Sequence, residues 1–105
     1  KDWFISHFSP FNNTQDLLSL LNAGEEPMKV SIQFYTNNGE RLGVGKELLL
    51  DPYSQVDEMV GPYFDGARSG TIIVRGSTAN LVVTSHLFDL ENSRHLAKVL
   101  AQVIR

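Results

Sequence analysis

Residues 28–43 read MKVSIQFYTNNGERLG, and their pattern decides the architecture. Val30, Ile32 and Phe34 alternate with Lys29, Ser31, Gln33 and Tyr35, the period of two that marks a half-buried strand, because successive side chains leave opposite faces of an extended backbone. The β-branched and aromatic content favours the same conformation. Asn38-Gly39 supplies two residues tolerant of positive φ, as a tight hairpin turn requires at both central positions, so residues 41–50 are predicted to return antiparallel beside this strand.

Outward from the hairpin, 17–21 is too short before Asn22-Ala23-Gly24 to make a settled helix and reads as a strand. Asp51-Pro52 breaks the chain, and 53–59 resumes with weak alternation as an edge strand. Gly61-Pro62 and Asp65-Gly66 mark a loop. Residues 70–75 and 80–88, rich in Ile and Val around Gly76-Ser77-Thr78, read as a second strand pair, with Thr71-Ile72-Ile73-Val74 in a central position. In the last segment, 91–105, Leu96, Val99, Leu100, Val103 and Ile104 recur at helical spacing, and Asn92 or Ser93 offers a cap, so a short C-terminal helix is favoured over a final strand. The sum is an all-β chain: one antiparallel β-sandwich domain over residues 1–105, of about seven to eight strands, with that helix appended. Parallel winding is excluded for want of crossover helices.

Composition sets bounds on function. One core suffices for 105 residues, of which 42% are hydrophobic and 20% charged, near the globular average. The net charge of −3 and the scattering of nine Lys and Arg residues argue against a nucleic-acid partner. No apolar run approaches the ~20 residues of a spanning helix, so direct membrane insertion is not expected. The absence of cysteine excludes disulfides and thiolate chemistry but leaves the compartment open. Lys1-Asp2-Trp3-Phe4 lacks the character of a signal peptide.

Few residue patterns carry chemistry. His7, His86 and His95 lack the spacing that brings two imidazoles to one metal, so neither a metal site nor a cofactor is expected. His86 shares a strand face with Val82 and Thr84, where a satisfied, partly buried histidine is a better reading than a base. Ser85, His86 and Asp89 supply the residue types of a nucleophilic relay, but adjacency in a strand gives neither the nucleophile's elbow nor an oxyanion site. Glu25-Glu26 reads as a solvated turn, and Gly43-Val44-Gly45 as a strand irregularity without the third glycine of a dinucleotide fingerprint. Trp3, Phe4, Phe8, Phe11, Tyr53, Tyr63 and Phe64, gathered with Asn12, Asn13 and Asp65 at one sandwich end, would make a stacking platform for a sugar or other small ligand. No catalytic residue is expected.

The stretch LLSLLNAGEEPMKVSIQFYTNNGERLG, 17–43, resembles the sensory rhodopsin transducer family, in which a Leu-Asn-Ala-Gly-acidic-acidic segment precedes an alternating strand and a hairpin. WFISHFSPFNN, 3–13, is similar to the family's opening, with Trp3, Ile5, Pro10, Phe11 and Asn13 in register, and SGTIIVRGSTANLVVTSHLFDLEN, 69–92, looks like its late strand pair ending at Asp89. Leu87 departs from the arginine usual two positions before that Asp. The resemblance implies a small antiparallel sandwich, assembled as a homotetramer, that binds a protein partner such as the cytoplasmic face of a membrane photoreceptor, or an unknown ligand. It implies a cytoplasmic location and no catalytic residue. Trp3, Asn13, Asn22, Glu25, His86 and Asp89 are the candidate binding residues; the alternative function is a sugar or small-ligand module.

Overall fold

The computed structural model describes residues 2–8, 14–64, 69–89, 94–100 and 102–104. Its strands are β1 (Asp2–Phe8), β2 (Thr14–Asn22), β3 (Met28–Tyr35), β4 (Arg41–Leu50), β5 (Gln55–Met59), β6 (Ser69–Gly76), β7 (Leu81–Asp89), β8 (Arg94–Leu100) and β9 (Gln102–Ile104), with one 3-10 turn at Gly61–Phe64. Two open antiparallel sheets face each other, with orders β4-β3-β6-β1-β9 and β5-β2-β7-β8. In the first sheet β1 and β9 extend the neighbours β4-β3-β6, and in the second β8 extends β5-β2-β7, so the nine strands of the described residues depart from the seven to eight expected.

Alternation makes the core. Val30, Ile32 and Phe34 of β3 and Ile72 and Val74 of β6 point inward against Leu18 and Leu20 of β2 and Leu81 and Val83 of β7, all buried. Met28, Leu50, Val60 and Phe64 close the ends of this layer. Each such side chain, taken fully out of water, contributes about 1.5–3 kcal/mol. β6 lies between β3 and β1, the central position its apolar run anticipated.

The β3–β4 hairpin forms as expected, with Met28 opposite Leu50 and Tyr35 opposite Arg41, but its turn differs. Only Gly39 has positive φ, at 85°; Asn38 does not. The Gly39 N–H donates to the Thr36 carbonyl at 3.0 Å and the Thr36 N–H to the Glu40 carbonyl at 2.8 Å, which makes a three-residue loop closed by a left-handed glycine rather than a two-residue turn. Further along, pairing slips between Ile32 and Phe34 as β4 bulges at Gly43-Val44-Gly45. Gly45 sits at φ 78°, and a Cβ there would collide with the Ile32 carbonyl oxygen.

Two expectations fail. Residues 70–75 and 80–88 do not pair with each other; β6 pairs with β3 and β1, β7 with β2 and β8. The link 77–80 instead crosses between the sheets, and four residues at about 3.3 Å each suffice for the ~10 Å sheet spacing. Ser77 fixes the crossing by donating its N–H to the Lys29 carbonyl at 2.9 Å. The C-terminal helix is also absent: β8 runs antiparallel to β7 and β9 to β1. The free edges of β7 and β1 offer the final segment backbone partners, and such pairing overrides helical periodicity. The proposed cap at Asn92 or Ser93 lies outside the described residues.

The flank between β4 and β5 is closed by side chains. Lys46 Nζ lies 2.8 and 2.9 Å from the two Glu58 carboxylate oxygens. That hydrogen bond holds the Lys46 ammonium above its ordinary pKa, against a smaller opposing effect of burial. Beneath it, Tyr63 stacks on Phe34 with centroids 4.4 Å apart, and Phe64 meets Phe34 edge-on at 5.6 Å.

Candidate functional site

Two surfaces carry three of the candidate residues: one sandwich end, with Asn22 and Glu25, and the outer face of the sheet β5-β2-β7-β8, with His86.

At the end, β2 finishes in Asn22, whose side chain is fully buried. Its Nδ2 donates to the carbonyls of Glu26 (2.7 Å), Leu50 (3.2 Å) and Asp51 (3.2 Å), and its Oδ1 accepts the Gly24 N–H at 3.0 Å. The Asn22 N–H reaches the Ser54 carbonyl and the Ala23 N–H the Asn80 carbonyl, both at 2.9 Å. One amide therefore ties together the loops 23–27 and 51–54, with 77–80 held beside them. A fully buried amide with both N–H hydrogens committed to backbone carbonyls is a scaffold group. Glu25 and Glu26 stand exposed on the rim it shapes.

On the sheet face, β2 presents Leu17, Ser19 and Leu21, opposite His86, Thr84 and Val82 of β7; β5 adds Gln55, Asp57 and Met59. Ser19, Leu21, Gln55, Val82, Thr84 and His86 line a shallow depression of about 320 Å³. The Ser19 hydroxyl donates to Asp57 Oδ1 at 2.7 Å and the Gln55 amide to the same oxygen at 3.2 Å. His86 Nε2 lies 3.3 Å from the Thr84 hydroxyl, and its ring lies 6.2 Å from that of Phe88. Met59 is 51% and Val82 41% exposed, so apolar surface stays open around this polar patch.

No relay forms along β7. Ser85 points inward and hydrogen-bonds the buried Asp16 carboxylate, whereas His86 points outward. Among the described residues there is no group of three or more His, Asp or Glu side chains that could hold a metal ion. Nor is any helix of the described residues long and apolar enough to cross a membrane.

The structure does not bring the six candidates to one place. Asn22 and Glu25 lie at the end just described, and His86 on the sheet face. Trp3 sits in β1 opposite Val74 and Val103; Asp89 sits at the far end of β7 opposite Thr14 and Arg94. Asn13 lies outside the described residues, as do Phe11, Asn12 and Asp65 of the expected aromatic platform. Two further platform members, the half-buried Tyr63 and the buried Phe64, are packed against Phe34. Tyr53 is exposed and lies in a turn ahead of β5 rather than in the edge strand expected over 53–59; the Pro52 before it and the Ser54 after it are the turn signals the sequence offers.

The same fold occurs in solved structures. Thermotoga maritima 1070 matches with a TM-score of 0.74 at 15% identity, over 97% of this chain and 92% of that one. The Anabaena sensory rhodopsin transducer matches with a TM-score of 0.57 at 17% identity, over 90% of this chain and 93% of that one. At these identities the likeness is one of fold, and it supports a distant structural resemblance to the transducer. No protein-family model matches the sequence, and no curated protein matches it significantly.

Proposed function

We propose that this chain is a non-enzymatic interaction domain, a transducer-like sandwich that self-associates and passes a signal to a protein partner in the cytoplasm. The carrying observation is the outer face of β5-β2-β7-β8, where Met59 and Val82 remain about half exposed beside Leu17 and Leu21. Apolar surface of this kind is a common mark of association. The likeness in fold to the Anabaena transducer supports the signalling role, and the family resemblance favours a tetramer with a membrane receptor's soluble face as partner. Sedimentation equilibrium tests the reading: the wild type should associate and Val82→Asp should not. A wild type that stays monomeric at every concentration removes self-association.

The depression around His86 favours a second reading, a small polar ligand such as a sugar ring seated on Leu21 and Val82. Glycan-array binding that is lost in Thr84→Val and His86→Ala is the expected result; a flat array removes it.

A further inference from the structure

We propose that Tyr53 is the anchor of a docking surface for a basic segment of a partner protein, at the sandwich end where loops 23–27 and 51–54 are tied together. The proposal rests on the reading of this chain as an interaction domain and names the chemistry of the partner.

Tyr53 carries the inference because it is mostly exposed and its backbone is strained. Its φ is 57°, the sole positive value found at a non-glycine among the described residues. It stands third in a turn that begins at Asp51, with Pro52 second, closed by the Ser54 N–H and hydroxyl on the Asp51 carbonyl at 3.2 and 2.7 Å. Turns with a left-handed third residue take glycine or asparagine there, and a bulky side chain is disfavoured. The tyrosine is nevertheless 66% exposed, and it shares no ring contact or side-chain hydrogen bond with any described residue. A large aromatic left mostly in water at a backbone angle that opposes it is the pattern of a residue that serves something outside the chain.

The surroundings select the partner's charge. Glu25, Glu26 and Asp51 are exposed, and the Asn22 amide bonds the carbonyls of both Glu26 and Asp51, which puts the two acidic loops side by side. Neither loop contains Lys or Arg; Lys29, at the start of β3, is the nearest exposed cation in sequence. A guanidinium stacked on the phenol face with carboxylates at its rim fits this arrangement, and Tyr is among the residues most enriched at interface hot spots.

The test is an NMR titration of the full chain with a hexapeptide of alternating Arg and Leu, and with its citrulline counterpart. The arginine peptide should shift amides of 25, 26 and 51–54, and the citrulline peptide should not. Tyr53→Gly and Tyr53→Asn, both comfortable at positive φ, should weaken binding by roughly 3- to 30-fold, with melting temperatures unchanged or raised by roughly 2–6 °C. Glu25→Gln with Asp51→Asn should weaken it similarly. Unchanged binding in the Tyr53 variants, shifts that fall elsewhere, or no response to the arginine peptide would overturn the proposal, as would a clear fall in melting temperature in both variants, which would assign the ring to the fold. Sedimentation of the Tyr53→Gly protein separates this result from the proposed self-association, which that variant should retain.

Discussion

Replacing Asn22 by Asp changes one nitrogen to oxygen and almost nothing in shape, yet it should be among the most damaging substitutions in the chain. The Asn22 amide has two hydrogens and places them against three carbonyls, of Glu26, Leu50 and Asp51. A carboxylate there brings oxygen to within 2.7–3.2 Å of three other oxygens in a site closed to water. Each buried carbonyl that loses its donor costs about 1–3 kcal/mol, partly recovered where one carbonyl relaxes toward water or the carboxyl binds a proton. A net loss of ~3–5 kcal/mol is expected, against a total of ~5–15 kcal/mol for a domain of this size. The pH dependence identifies the cause. Desolvation and facing carbonyls raise the folded-state pKa of the new carboxyl above its unfolded value of about 3.9, so in Asn22→Asp the folded state holds a proton that the unfolded state releases. Stability then falls as pH rises from the unfolded to the folded pKa and levels off above it. Asn22→Ala loses the same donors without adding a charge, so its deficit should not vary over that interval. Urea unfolding of both variants and the wild type at about pH 4 and about pH 7 measures this. If Asn22→Asp costs less than about 1 kcal/mol at neutral pH, or its deficit does not grow relative to Asn22→Ala, the amide is not the clip described here.

Gly45→Ala should destabilise more than Gly39→Ala: both positions have positive φ, but a Cβ at 45 also meets the Ile32 carbonyl whereas the space around 39 is open. Losses of about 2–4 and about 1 kcal/mol are expected, read by thermal unfolding. Lys46→Met should cost only about 0.5–1 kcal/mol, because the ion pair with Glu58 is partly solvated and screened. Its folded-state pKa is raised, so that contribution is full below the ordinary lysine value and fades as pH climbs through the raised one; the gap between wild type and variant should narrow only in strongly alkaline solution. Ser85→Ala should cost about 1–3 kcal/mol by removing a hydroxyl donor from the buried Asp16, measured by urea unfolding; a neutral result would show that the other contacts of Asp16 suffice.

Local pattern carried the strands whose side chains alternate against one core. From 28 to 35 every second residue is apolar and buried, and the structure repeats that order residue by residue. Pairing was less legible, because alternation says which face a residue takes and is silent about which strand lies beside it. Residues 70–75 and 80–88 have the same composition whether they form a hairpin or cross between sheets; what decides is the bond from Ser77 to Lys29, across 48 positions of chain. The final segment shows the same limit. Leu96, Val99 and Leu100 satisfy helical spacing, but β7 has a free edge, and an edge left open is a liability that a neighbouring segment can remove.

The candidate site divides along the same physical line. Asn22 and His86 were both legible as polar residues at constrained positions, and the structure separates them by what their polar atoms meet. The amide of Asn22 is fully buried and meets four backbone groups of its own chain, which makes it a cause of the surface and not a part of it. His86 faces outward, beside Thr84 and above Val82, where a partner can reach it. Tyr53 was hidden from pattern reading because its distinguishing property is a backbone angle, and Pro52 before it is compatible with several turns of either hand. Exposure and strain together mark it, and each is visible only once the chain has folded. Among the described residues, local preference and final conformation disagree most plainly at Tyr53, a tyrosine held where glycine would rest more easily.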